Sequence, residues 1–394
     1  MNIDRTTFRF TDSGQVARIA GLIGLVGLAV SAVGYFADSA QFFHSYLTAF
    51  VYWLSISWGA LFFTMLHHMV NARWSVVLRR LSESVMIVIP FLGLFFLPVL
   101  FGMGELYHWS HPETVAADTL LQKKSAYLNT GFFIARTALY FGIWILLTRK
   151  LYQSSLQQDQ GHAASLTARF RRISAPGIIL FALTVTFASF DWLMSLDAHW
   201  YSTIFGAYIF SGSFLSALAF IIVMAAYLRR KGVTTGIVSV EHFHDLGKLT
   251  FAFVIFWAYM AFSQYFLIWY ANIPEETIWY RHRWEGSWKY VSLTIVFGHF
   301  ALPFLLLITR AAKRSLPVLT GAAGWILFVR WVDLHWLVMP NLHGHGASLS
   351  WMDVTTMAGL GGAFIWFFWN RFVRQAVVPV KDPALDASIH FVNR

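Results

Sequence analysis

Ser189 to Gly212 read SFDWLMSLDAHWYSTIFGAYIFSG. Two aspartates and a histidine stand here among aromatics, between two long apolar runs. A related cluster, Val332-Asp333-Leu334-His335-Trp336, follows with its aspartate 142 positions after Asp191. The flanking runs are each about 20 residues long, enough to cross a bilayer core of about 30 Å as a helix. The stretch therefore marks a place where one membrane span ends and the next begins.

Composition agrees. The chain of 394 residues is 57% hydrophobic and 12% charged, with a mean hydropathy of +0.57. That charge is about half of what a soluble domain carries. No series of short alternating segments marks a β-barrel. The reading is an all-α, polytopic membrane protein. The net charge of +10 does not signal nucleic acid, because the basic residues lie in particular loops and form no single face. With no cysteine, disulfides, cysteine-ligated iron–sulfur clusters and thioether-attached haem are excluded.

About ten spans are expected, at 16–36, 46–70, 84–104, 127–148, 174–195, 202–228, 248–271, 288–309, 317–339 and 351–372. Arg5, Arg9 and Arg18, then the apolar run to Phe36, resemble a signal peptide; the plainer reading is an uncleaved span. Of the 29 lysines and arginines, 22 fall in the termini and in alternate loops. They include Arg79 and Arg80, Arg149 to Arg172, Arg229 to Lys248, and Arg310 to Arg314. Only Lys123, Lys124, Arg281, Arg283 and Lys289 fall on the opposite side. This bias puts both termini in the cytoplasm. The longest inner loop, 150–173, carries the polar run Gln153–Gly161 and is expected to be exposed.

Spans two to five resemble spans six to nine. The fifth begins Ser174-Ala175-Pro176 and reaches Asp191; the ninth begins Ser315-Leu316-Pro317 and reaches Asp333. Spans four and eight end in Leu146-Leu147-Thr148-Arg149 and Leu307-Ile308-Thr309-Arg310. Four spans is an even number, so the units keep one orientation. The expectation is two parallel-repeat four-helix bundles, 46–200 and 201–345. A tail and flanking helix (1–45) precede them, and a flanking helix and tail (346–394) follow.

Ionisable groups inside spans are costly and mark function by default. At about 1.5 Å rise per residue, Asp191 and Asp333 lie about 22–24 Å from their inner helix starts. Arg330 and Asp333, three apart, can pair on one helix, and Arg330 could serve only to neutralise Asp333. Asp191 has no basic residue within a turn, and Arg136 on span four is its expected counter-charge. Arg136 and His299 are placed near mid-membrane. His67, His68 and Glu83 fall toward the inner ends, where an interfacial role is the plainer reading. The candidate proton paths are His67/His68/Glu83, Arg136 and Asp191 in the first bundle, and His299, Arg330, Asp333 and His335 in the second. Gln264 could donate to a carbonyl ligand. No pair of histidines faces at one depth, so haem is not expected. His343 and His345 could hold a metal, but an exposed loop is the plainer reading, and no metal is expected.

Two longer motifs add a resemblance. Residues 190–206 read FDWLMSLDAHWYSTIFG and residues 263–277 read SQYFLIWYANIPEET. With ten spans in two parallel bundles, they resemble the NrfD/polysulfide-reductase membrane subunits, in the branch of the second NrfD-like (F, quinone-binding 2) subunit of alternative complex III. That resemblance implies an integral membrane subunit of a quinol:electron-acceptor oxidoreductase in the bacterial inner membrane, without a redox cofactor of its own. It implies as partners a sister NrfD-like subunit, an iron–sulfur/molybdopterin-like subunit, c-type haem subunits and lipid. It also implies proton translocation and a quinone, menaquinone or ubiquinone, for which Gln264 and His199 are the candidate residues. Two other readings compete. One is a secondary transporter of a small solute, which calls for broken spans at matched repeat positions. The other is a purely structural anchor.

Overall fold

The computed structural model describes residues 1–4, 6–161, 163–344 and 346–393. Arg5, His162, His345 and Arg394 lie outside them, so the metal reading of the His343/His345 pair does too. Apart from a small hairpin of β1 (Asn2–Asp4) and β2 (Arg9–Asp12), the chain is helical. Nine helices among the described residues are long and apolar enough to cross a membrane.

These are α1 (Val16–Ala37), α2 (Ser39–Met69), α3 (Val76–Phe101), α4 (Thr130–Asp159), α5 (Ala163–Trp192), α6 (Phe205–Arg230), α7 (Val240–Ala271), α8 (Trp288–Leu307) and α9 (Leu316–Val338). The tenth expected span is also one helix, α10 (Trp351–Phe372). Its tryptophans, threonines and glycines make it less apolar than the nine. It runs antiparallel along α1: Gly24 meets the backbone of Ala363, Gly27 that of Gly359, and Gly34 the side chain of Met352. A β-carbon at Gly27 would stand 2.6 Å from Gly359. Small residues thus let two membrane helices touch backbone to backbone.

Each element stops where its chemistry requires. Asp38 caps α2 by accepting from the Gln41 N–H. Asn272 ends α7 in the left-handed conformation, and Pro274 follows. Pro90 and Pro98 break α3 into shorter helices. In α8, Pro303 cannot donate to the His299 carbonyl, and the turn before it, Ile295–Ala301, is π-helical. The Trp325 indole N–H caps the Gly298 carbonyl at 2.8 Å.

Helices α2 and α6 are buried along most of their length and pack against each other at the centre. Helix α2 also packs on α9, and α6 on α5. Since α2 aligns with α6 and α5 with α9, these contacts are reciprocal, as a parallel repeat requires. The N- and C-terminal segments meet on one face, termed inner, where the Val377 N–H donates to the Phe8 carbonyl at 2.8 Å.

One expectation is corrected. The polar run Gln153–Gly161 is not an exposed loop: α4 continues through it to Asp159. Ser154, Ser155 and Gln158 are fully buried, and the latter two solvate charges on α3. Ser155 donates to Glu83 at 2.7 Å and Arg79 donates to Gln158 at 3.1 Å.

Candidate functional site

The two aspartates of the repeat are both fully buried, in very different surroundings. Asp191 receives Arg136 side-on, with Nε to Oδ2 at 2.8 Å and Nη2 to Oδ1 at 2.9 Å. The Tyr140 hydroxyl donates to Oδ2 at 2.7 Å. Arg136 Nη1 donates to the Tyr127 carbonyl at 2.9 Å, and the guanidinium carbon lies 3.8 Å from the Tyr127 ring centroid. The expected pair forms, and all three guanidinium nitrogens and both carboxylate oxygens are used. This is the bidentate geometry in which an Arg–carboxylate pair is strongest.

The pair sits nearer the outer end than expected. Arg136 is six residues into α4, about 9 Å from its outer start, and it bonds loop residue Tyr127. It is not at mid-membrane. The first-bundle path is therefore not continuous among the described residues. Inward from the pair, Trp58, Trp144 and Trp192 pack with ring centroids 5.0 to 5.9 Å apart. Glu83 belongs to a separate inner cluster with Arg79, Arg80, Ser155 and Asp159. His67 bonds its own helix through the Phe63 carbonyl, and His68 stacks on Phe170.

Asp333 is held by Arg330 Nη1 at 2.5 Å on its own helix and by the Tyr208 hydroxyl from α6. The π-helical turn of α8 brings His299 Nδ1 to 4.0 Å from Asp333 Oδ2. The His299 ring packs on Trp257 of α7, with centroids 4.0 Å apart. Gly212 on α6 makes room for the guanidinium, since a β-carbon there would stand 2.3 Å from Arg330 Nη1. This cluster is not saturated. Both ring nitrogens of His299, and Arg330 Nε and Nη2, are buried without a hydrogen-bond partner. Buried polar groups are nearly always satisfied, so four such nitrogens in one place need a cause.

His335 is not part of this cluster. Two residues beyond Asp333 puts it on another face of α9, beside Trp288 and Trp331. His299, Arg330 and Asp333 come together as expected, and His335 does not.

A cavity of about 860 Å³ lies between α7, α8 and the short helix Pro274–His282. Tyr208 and Trp257 form part of its wall, so it abuts the Asp333 cluster. Tyr259, Phe262, Trp269, Trp284 and Val296 line it as well and are exposed on the protein's side; the opening faces where lipid would lie. Gln264 is in the wall. Its amide donates to the Tyr280 hydroxyl at 3.0 Å, and its carbonyl accepts from Ser202 at 2.9 Å. Arg283 is also in the wall, buried, with its guanidinium carbon 3.5 Å from the Trp279 ring centroid. Its nitrogens donate to the carbonyls of Trp279, Trp336 and Leu337. Burial brings its pKa down to about 9, so it is still charged at neutral pH.

His199 does not reach this cavity. It is exposed and its Nε2 lies 2.6 Å from Asp118 Oδ2. The hydrogen bond to His199 is the main reason the Asp118 carboxyl lies below its usual range.

Sequence reasoning missed Tyr208, Trp257, Tyr140 and Tyr280. The only signal was a hydroxyl-bearing or indole side chain within or beside an apolar run, and interfacial anchoring accounts for such residues equally well. No group of three or more potential ligands is placed to hold a metal among the described residues. No protein-family model and no curated protein matches the chain.

Proposed function

We propose that this chain is a cofactor-free membrane subunit of a quinol:electron-acceptor oxidoreductase, and that its second bundle handles the protons. The observation that carries the proton reading is the unsaturated Asp333 cluster. It is a buried carboxylate with a tyrosine donor, an arginine with two unpartnered nitrogens and a histidine at 4.0 Å. Buried Asp and His groups in a membrane bundle serve proton relays. Here the carboxylate can take and release a proton while Arg330 stays as its fixed counter-charge. The first bundle, with its saturated Arg136–Asp191 pair, is the anchoring half.

The placement in such a complex rests on the two motifs, residues 190–206 and 263–277, and so do the bacterial inner membrane, the cytoplasmic termini and the haem- and iron–sulfur-bearing partners. The test is purification from native membranes through a tag on this chain. The expected result is co-elution with c-type haem proteins and an iron–sulfur subunit, and reduction of an electron acceptor by added quinol. A chain that elutes alone, with no haem absorbance and no quinol-dependent reduction, contradicts the reading.

A further inference from the structure

Few basic residues lie on the outer side, and three of them have a local partner. Arg281 pairs with Glu285 at 3.0 Å, Arg283 is bonded to main-chain carbonyls, and Lys289 lies 5.1 Å from the Tyr290 ring centroid. Lys123 and Lys124 remain, and they run against the charge bias of the chain. Asp118, the acid nearest to them in sequence, caps the short helix Thr119–Lys124 and pairs with His199 instead.

Both lysines border a second cavity, of about 390 Å³, beside the link from α5 to α6. Leu128, Phe190, Met194 and Ala198 make much of its wall apolar, and no carboxylate stands in it. Lys124 Nζ donates to the Ala198 carbonyl at 2.6 Å, which leaves two of its three N–H groups. Burial draws its pKa below the usual lysine range, a cost that a bound anion would offset. Trp200 is also in the wall. It is 2% exposed, its ring stacks on Trp279, and its indole N–H has no hydrogen-bond partner. A buried donor in that state calls for an acceptor. The Ser195 hydroxyl and the Met194 sulfur are already engaged, with the Asp191 carbonyl and the Ser202 N–H. From Phe190 an apolar stripe runs inward along one face of α5, through Phe187, Leu183 and Ile179, all three exposed. It is about 16 Å long.

We propose that this outer cavity is an anion site, which takes a phosphate group attached to an apolar body and holds it with Lys123, Lys124 and the Trp200 N–H. Lipid that merely surrounds the protein makes no use of these donors, whereas a phosphate accepts from all of them. Such a phosphate can arrive on a phospholipid of the outer leaflet or on a soluble phosphomonoester. The stripe below Phe190 suits the first, since it gives an acyl chain a path along the helix. The site depends neither on the complex nor on the proton role proposed above.

The test uses the protein purified from native membranes with its partners, in phosphatidylcholine nanodiscs, and a diazirine-bearing phosphatidylglycerol as photolabel. Adducts are mapped by mass spectrometry. Label is expected on residues 123–128 and 190–201, displaced by unlabelled phosphatidylglycerol and not by added phosphatidylcholine. Glycerol 1-phosphate is the second competitor. Displacement by phosphatidylglycerol alone assigns the site to a phospholipid, and displacement by glycerol 1-phosphate as well assigns it to the phosphate head by itself; both support the anion site. Lys123→Gln combined with Lys124→Gln should lower labelling by at least about tenfold, as loss of two charge-assisted hydrogen bonds does. Trp200→Phe, which removes the indole donor, should lower it by about fivefold. Ala126→Trp, which enters the cavity from an exposed position, should abolish it. Melting in detergent confirms that each variant is folded. Labelling unchanged in the double lysine variant or in Ala126→Trp, or displaced equally by phosphatidylcholine, overturns the site.

Discussion

The two aspartates stand at matching places in the repeat, and the fold treats them in opposite ways. Asp191 is closed: two arginine nitrogens, a tyrosine hydroxyl and a main-chain carbonyl saturate the pair, and a tryptophan cluster seals its inner side. Asp333 is open: its arginine keeps two unpartnered nitrogens, its histidine keeps both, and a cavity lies against its tyrosine. The difference comes from where the arginine is attached. Arg136 reaches across from a neighbouring helix and meets the carboxylate with two nitrogens. Arg330 sits three residues from its aspartate and presents only one. An ion pair within one helix therefore leaves donors over, and these can serve waters, ligands or protons.

Mutation should tell the two sites apart. The largest effect is expected at the closed site. Arg136→Met leaves a buried, unpaired carboxylate and should cost about 3–5 kcal/mol, while combining Arg136→Met with Asp191→Leu should recover most of it. Thermal unfolding in detergent reads both. If Arg136→Met melts like the parent protein, the pair is not structural. Next is the α1–α10 contact. Gly359→Val places a side chain against the Gly27 and Leu28 backbone and should cost about 1–3 kcal/mol by overpacking; an unchanged melt would mean that the two helices part without penalty. The inner face comes third. The C-terminal tail lays Asp382 on Arg79 at 2.5 Å and bridges the two bundles at Ser388, which bonds Trp74 and Val77 on one side and His242 on the other. Asp382→Ala should lower stability by about 1–2 kcal/mol, read in the same melts; no change would mean that Gln158 and Glu83 satisfy Arg79 without the tail. The smallest effect is at the exposed His199–Asp118 contact. His199→Ala should change neither the melting temperature nor quinol turnover, and a loss of turnover would bring His199 back as a site residue.

Much of this was readable in the sequence, and the reasons are physical. Apolar length and charged ends gave the spans, because the bilayer forces both. The Arg136–Asp191 pair followed from the cost of leaving either charge alone in a low-dielectric interior. The Arg330–Asp333 pair followed from helical spacing. Three things were not readable. The polar end of α4 looks like a loop, because what it solvates is on another helix. His335 shares a short motif with Asp333, yet helical rotation separates them. The cavity is walled in part by Ile295, Val296 and Phe300 of the π-helical turn of α8, which the local sequence signals only through Pro303.

If protons pass through the second bundle and not the first, the two aspartates must differ in translocation as they do in surroundings. The direct measurement is quinol-driven proton translocation by the complex in liposomes carrying a pH-sensitive dye, with Asp333→Asn and Asp191→Asn compared at equal amounts of folded protein. The expected result is a loss of at least about tenfold for Asp333→Asn, as removal of a proton-transfer group brings, and translocation within about twofold of the parent for Asp191→Asn. Equal losses in both, or a loss in Asp191→Asn alone, would contradict it.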